Sequence, residues 1–466
     1  MSDLRERLDR LAEGASGDLD AAQLWTAGRR RHRLRTTAGA LAVLLIATVS
    51  GLGGATVWQR TATSLPAAPP ASGVYLPDRL VTPPAWLEGT EVKGPIGPLV
   101  ALVGGARRDG WRTVRGVVGV SAHTGEYRFL DLPGAAESNP GTPRVELSPD
   151  GRWVAYWIGG RQVAGAWLVT GLALYDTVTG QVRTHPVESD QGVLPRGILW
   201  EGQSAWFSYG QVTSVDESSL EIHSLPPLAW PVLGEPRVVA GVGPDELPKA
   251  AADGLVLLAG LDNFAVVVNE LVYSRFRVEH IGNGSGWTVL SPPRAGRRLV
   301  AELWVPESQT SPQPIESRLM VGDLDGALLP PQSRGIVLGG PTQDRIPAVA
   351  MKDVSSAPAV IQGLLGWRDA DHVIAVLGES GSAGKVASVD IHTGASEALT
   401  RLDVGDWSTL SVAAEAWTAP VAPAVIPDWP PDPRLVALAI GGGVLVLALT
   451  GGAVRGRVRR SRRGRS

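Results

Sequence analysis

Three stretches of this chain share one plan: an apolar strand-like run, a polar turn ending in Thr-Gly, and a second run. They are VVGVSAHTGEYRFLDL, LALYDTVTGQVRTHPV and VASVDIHTGASEAL, with Gly125, Gly180 and Gly394 in the turns. Glycine adopts positive φ without a Cβ clash, as a tight hairpin turn requires. Weaker copies stand at SLEIHSLPPLAWPVL, RFRVEHIGNGSGWTVL and RLMVGDLDGALLP. Six such hairpins, about 43 to 67 residues apart, recur near or above the period of a propeller blade. Helical periodicity is nearly absent between them, so the middle of the chain reads as all-β.

The stretches between hairpins supply further strands. In SPDGRWVAYWIG, Ser148-Pro149-Asp150-Gly151 forms a tight turn, with proline pre-setting φ and glycine closing it. Trp153, Ala155 and Trp157 then point to one face, and Val154, Tyr156 and Ile158 to the other. A strand apolar on both faces packs on both sides, as a blade between two blades does. LLGWRDADHVIAVLG (Leu364 to Gly378) repeats the theme, and GILWEGQSAWFSYG is a degenerate third copy. Only one evident strand, PLVALVGG, precedes the first hairpin, whereas STLSVAAEAW (Ser408 to Trp417) follows the last. If that final run completes the first blade, the ring closes with strands from both ends. The expected fold is a β-propeller of about six blades, seven being the alternative count; a solenoid or paired β-sandwiches are the alternatives to it.

Two uncharged apolar segments flank this middle. Thr36 to Trp58 spans 23 residues and follows GRRRHRLR; Leu435 to Val454 precedes RGRVRRSRRGRS. At about 1.5 Å per residue each is long enough to cross a hydrocarbon core of roughly 30 Å. The arginine-rich flanks put both ends in the cytosol and residues 59–434 outside, and Trp58 sits like an interfacial anchor. A cleaved signal peptide is the competing reading of the first segment, but its charged region is long and its apolar core extended. Between residue 36 and the final twelve, 28 basic face 40 acidic residues, a formal −12 that argues against a nucleic-acid partner.

The expected organisation is a cytosolic segment (1–35), a transmembrane helix (36–58) and a proline-rich linker (59–95). The propeller (96–418), a second proline-rich linker (419–433), a second transmembrane helix (434–454) and an arginine-rich cytosolic tail (455–466) complete it. SLPAAPPASGVYLPDRLVTPPAW and APVAPAVIPDWPPDP carry the linker reading, since such composition favours extended spacers. The chain contains no cysteine, so disulfides, thiolate metal sites and cysteine nucleophiles are excluded.

SPDGRWVAY and GWRDADHVIAVLG resemble the repeats of TolB-like and WD40-like propellers. No Trp-Asp dipeptide occurs, and Asp150 abuts Gly151, so neither a true WD40 repeat nor a sialidase Asp box is matched. LRERLDRLAEG and AAQLWTAGRRRHRLRTTAGALAVLL look like the start of actinobacterial membrane proteins associated with RNA polymerase sigma factors. That resemblance implies a cytosolic partner for residues 1–28, and Leu4, Leu8 and Leu11 fall at helical spacing for it. A juxtamembrane helix lying on lipid is the plainer reading of the same leucines.

The seven histidines, His32, His123, His185, His223, His280, His372 and His392, form no ligand spacing. His123 and His392 occupy equivalent turn positions before Thr-Gly, which suits a structural role. GESGSAGK (Gly378 to Lys385) fails the P-loop spacing and lies between strands; Asp323 and Asp325 lack the further ligands of a calcium loop. Trp153, Trp157, Trp206 and Trp304 fall in strands, where blade packing accounts for them. No catalytic, cofactor-binding or metal-binding residue is nominated and no cofactor is expected. The expected role is a membrane-held binding or sensing platform, with the lipid bilayer, an envelope protein and a cytosolic regulator as candidate partners. The alternatives are a propeller hydrolase or lyase with a central-channel site, and a structural envelope scaffold.

Overall fold

Strands apolar on both faces bury both by stacking sheet on sheet, and the regular structure of the described chain is almost entirely β. The computed structural model describes residues 73–439 apart from 111, 137–144, 216–218, 253–254, 260–263, 269, 280–286, 291–297, 306–315, 325–347, 355–360, 379–383, 405–408, 427–428 and 430. Two compact units divide the chain: Pro66–Trp429, and the flanks Met1–Leu65 with Pro430–Ser466.

In the larger unit, β1 (Leu76–Pro77), β2 (Arg79–Val81) and one helical turn, α1 (Thr90–Lys93), come first. The first sheet uses β3 (Leu99–Asp109), β4 (Arg112–Ser121) and β5 (Tyr127–Phe129). The second uses β6 (Val145–Leu147) and β7 (Trp153–Ile158), then, after a side hairpin of β8 (Arg161–Val163) and β9 (Ala166–Leu168), β10 (Gly171–Asp176) and β11 (Val182–Pro186). The third holds β12 (Val193–Glu201), β13 (Ser204–Val215), β14 (Leu220–Ser224), β15 (Leu228–Pro231) and β16 (Arg237–Val238).

Two meanders follow: β17 (Leu247–Ala252), β18 (Leu255–Ala259), β19 (Phe264–Val268) and β20 (Leu271–Glu279), then β21 (Trp287–Leu290), β22 (Arg298–Val305), β23 (Glu316–Asp323) and β24 (Ala348–Asp353). The last sheet has β25 (Ile361–Trp367), β26 (His372–Leu377), β27 (Lys385–Asp390) and β28 (Ser396–Asp403), and the chain returns through β29 (Ser411–Val412) and β30 (Val421–Ala422).

The innermost strands β29, β6, β12, β17, β21 and β25 are neighbours in that order, which is a β-propeller arrangement. Counted by hydrogen-bonded sheets it has five blades, correcting the expected count of about six. The cause is an overshoot. β20 pairs with β19 as far as Phe276, and its last residues, Arg277–Glu279, run parallel to Ala348–Ala350 of β24. Two meanders thereby share one eight-stranded ladder, with three residues of each outer edge paired to the other.

The ring closes as the late run STLSVAAEAW suggested. Ser411 and Val412 of β29 pair antiparallel with Leu102 and Ala101 of β3, as the inner strand of the first sheet. Trp417, in a 3-10 turn at Ala414–Thr418, then lies against Gly366 of β25, where an added Cβ would meet its Nε1 at 3.1 Å. A second seam was not foreseen. β1 runs parallel to β30, Leu76 opposite Val421, and β2 runs parallel to β28. Residues 73–95, expected within a linker, therefore belong to the propeller: Tyr75 and Leu80 are fully buried. The propeller likewise extends past 418, to β30. Proline suits edge strands, so a proline-rich segment with well-placed apolar residues folds against the rim.

Packing follows the two-faced pattern. Val154 and Tyr156 join the core shared with the first sheet, while Trp153, Ala155 and Trp157 join the core shared with the third. In the smaller unit, residues 433–439 are helical, and Asp432 accepts the Arg434 N–H at 2.9 Å. No helix among the described residues is long and apolar enough to cross a membrane. Residues 36–58 and 440–454, carrying most of the two expected spans, lie outside the described residues, as do 1–35 and 455–466.

Candidate functional site

The recurring turns spend their polar groups on themselves. In the second sheet Asp176 Oδ1 accepts the N–H groups of Val178 (2.9 Å) and Thr179 (3.3 Å), and Gly180 has φ +75°. In the last sheet Asp390 Oδ1 accepts those of His392 (2.8 Å) and Thr393 (2.9 Å). Ser121 Oγ does the same for His123 and Thr124 in the first. His123 and His392 thus hold equivalent turn positions. Of the weaker copies, β14 and β15 each pair with β13 and not with each other, and β20 and β21 belong to different meanders. RLMVGDLDGALLP runs beyond the described residues, Asp325 included.

The turn Ser148–Gly151 is braced similarly. Ser148 Oγ donates to Asp150 Oδ1 (2.6 Å) and accepts the Trp153 N–H (2.8 Å). Arg152 reaches Asp176 Oδ2 at 3.0 Å. Partial desolvation pushes the Asp176 carboxyl up, but the Arg152 and turn hydrogen bonds outweigh it and hold it below the usual range.

The histidines are dispersed. His185 packs edge-on to Trp230, His223 lies exposed on β14, and His32 and His280 lie outside the described residues. One cluster escaped sequence reading. His372 Nδ1 lies 2.8 Å from Asp369 Oδ1, and His392 Nε2 lies 3.0 Å from Asp371 Oδ1. The ladder register His372↔Asp390 brings the two turns together. Desolvation pushes Asp369 up, yet the Asp371 N–H and His372 outweigh it and lower it. No group of three or more His, Asp or Glu side chains arranged for a metal occurs among the described residues.

Two further places stand out. On the innermost strand of the second sheet, Glu146 is half-buried, and desolvation raises its carboxyl to about 7 against the opposing hydrogen bond from Ser411. Ser411 Oγ donates to Glu146 Oε1 (2.9 Å) and accepts the Leu147 N–H (3.0 Å), while the Glu146 carbonyl accepts Trp200 Nε1–H (3.1 Å). One side chain therefore ties the closing strand to the second sheet.

The other place is an open groove of about 660 Å³ along the seam, lined by β28, β30 and the starts of β2 and β27. Arg79, Lys385 and Arg401 supply charge; Leu399, Val421, Pro423 and Ile426 supply apolar wall. Asp78 is committed to the seam, its Oδ1 accepting the Ala424 N–H (2.8 Å) and its carbonyl the Arg401 N–H (2.8 Å). Arg79 is paired with Asp403 at 3.2 Å. We take this groove as the candidate binding site. Its parts come from residues 78–79, 385–401 and 421–426, so no single sequence window displays it.

The class these features define is a closed β-propeller with its N- and C-terminal strands sharing one seam. No family model matches the chain, and no curated protein matches it. Similar solved structures include an oligogalacturonate lyase in complex with manganese, 10% identical, covering 62% of this chain and 71% of that chain, with a TM-score of 0.38. TolB from Acinetobacter baumannii is 12% identical over 65% of this chain and 69% of its own, with a TM-score of 0.29. An uncharacterized protein from Listeria monocytogenes is 9% identical over 76% of this chain and 100% of its own, with a TM-score of 0.35.

Proposed function

We propose that the chain is a membrane-anchored β-propeller acting outside the cell as a non-enzymatic binding or sensing platform. The observation that carries this reading is the seam: Leu76 lies opposite Val421 in a parallel pair, so the propeller's first and last strands leave at one edge. Two uncharged apolar segments with arginine-rich flanks, Thr36 to Trp58 and Leu435 to Val454, stand just beyond those strands. A ring tethered at both ends to a bilayer needs its ends together, and this arrangement supports that. Residues 1–28 then face the cytosol, where a regulator such as a sigma factor is the partner we propose for them.

The absence of cysteine makes a clean test. Single cysteines placed at Ser2, Val74, Ile426 and Ser466 of the full chain would be challenged with a membrane-impermeant maleimide on intact cells. Labelling at Val74 and Ile426 alone is the expected result; labelling at none or at all four defeats the topology. A pull-down from native membranes, with and without residues 1–28, tests the cytosolic partner. Capture of a regulator by the full chain alone supports it, and identical captures defeat it.

A further inference from the structure

Lys385 and Arg401 are directly opposite one another in the β27–β28 ladder. Like charges at facing ladder positions repel. Both side chains are exposed, both line the seam groove, and neither has an acidic partner among the described residues. The nearby carboxylates are engaged elsewhere, Asp403 by Arg79 and Asp78 by the Ala424 N–H. This concentration of positive charge stands in a middle region whose formal balance is −12. An unrelieved cationic pair in an acidic domain is arranged for an anion from outside.

The groove also says what kind of anion. β2 covers the outer edge of β28 only over Arg401–Asp403, so Ser396–Leu399 carry no ladder partner on that side among the described residues. Ala398 to Arg401 line the groove beside that edge, and Leu399, Val421, Pro423 and Ile426 give it apolar wall. A free strand edge offers main-chain groups to an extended peptide, and flanking pockets select its alternate side chains. We infer that the seam groove binds an extended acidic peptide of a partner protein, with a carboxylate between Lys385 and Arg401 and the peptide backbone along the exposed Ser396–Ala398. The inference rests on the binding-platform reading and names the ligand class for it.

The test uses the full chain in detergent or nanodiscs, with a fluorescein-labelled peptide alternating glutamate with valine and threonine. A second peptide carries glutamine in place of each glutamate. Fluorescence anisotropy should show saturable binding of the acidic peptide, at least tenfold tighter than the glutamine peptide and weakened by salt. The Lys385→Glu/Arg401→Glu variant should lose that preference and gain affinity for a lysine-substituted peptide, with an unchanged thermal midpoint showing that it folds. Equal binding of the acidic and glutamine peptides, or no binding, overturns the inference. So does displacement of the peptide by inorganic phosphate or anionic-lipid vesicles at matched charge. A partner captured from membranes equally by wild type and the double variant would retain the platform reading and remove this groove from it.

Discussion

Ser411 and Glu146 are 265 positions apart, and a single hydroxyl joins them across the closing point of the ring. The same oxygen accepts the Leu147 N–H, so the closing strand is pinned to both the side chain and the backbone of β6. Ser411→Ala strands a partly desolvated carboxyl and a buried N–H together. Leaving such groups unpaired costs about 1–3 kcal/mol. Urea denaturation should show a loss of that order, with amide exchange rising first at Leu147 and along β29. Exchange unchanged at those positions would separate the hydroxyl from closure.

Glu146 should make stability depend on pH in a defined window. Its carboxyl is raised from 4.5 to about 7 in the folded protein, chiefly by desolvation. Below 4.5 it is protonated in both states, and its contribution to stability is complete. Between 4.5 and 7 the unfolded chain ionises while the folded one holds its proton, so stability falls as pH rises. Discounted for the partial exposure of the residue, the loss is on the order of 1–3 kcal/mol. Glu146→Gln should flatten this part of the profile. The difference between wild type and variant, measured by denaturation at pH 5 and pH 8, is the quantity to read. A constant difference would defeat the expectation.

Gly151 and Gly202 separate conformational strain from steric exclusion. Both have positive φ, +72° and +50°. A Cβ on Gly151 would lie 1.9 Å from the Leu99 carbonyl oxygen, whereas one on Gly202 meets nothing within 4 Å. Gly202→Ala carries only the left-handed backbone cost, about 1–2 kcal/mol. Gly151→Ala must also force β3 away from the turn, and we expect little folded protein. Comparable thermal midpoints for the two variants would contradict this.

The three Thr-Gly turns should accept one another's leading residue. Ser121 and Asp390 perform the same task, each accepting two N–H groups of its own turn. Asp390→Ser should therefore stay near wild-type stability, while Asp390→Ala, which leaves both turn N–H groups without that acceptor, should melt at a lower temperature. Thermal melts of the two variants side by side decide it.

Local chemistry was legible in the sequence, and long-range pairing was only partly so. The positive φ of Gly125, Gly180 and Gly394, and the two faces of Trp153–Ile158, follow from residue type and alternation, which a short window contains. The late strand at Ser411 could be anticipated because the first sheet lacked one. The parallel seam of β1 with β30 could not: Pro77 and its neighbours read as spacer, and only the tertiary partner turns Tyr75 and Leu76 into core. The blade count failed for a related reason, since the crossing of β20 to β24 depends on where two outer edges meet in space. The groove's charge pair was hidden because Lys385 and Arg401 face each other only once the register is set.

The closing strand also imposes an order in time. Chains emerge from the ribosome N-terminus first, so β3, β4 and β5 are made long before β29 exists to complete their sheet. Throughout that interval the inner edge of β3 presents open N–H and C=O groups over Ala101 and Leu102. A nascent neighbour carrying its own β29 sequence is the best-matched intruder for that edge. Crowded synthesis should therefore yield exchanged-strand dimers, and the ring is safe only after its own last strand has arrived.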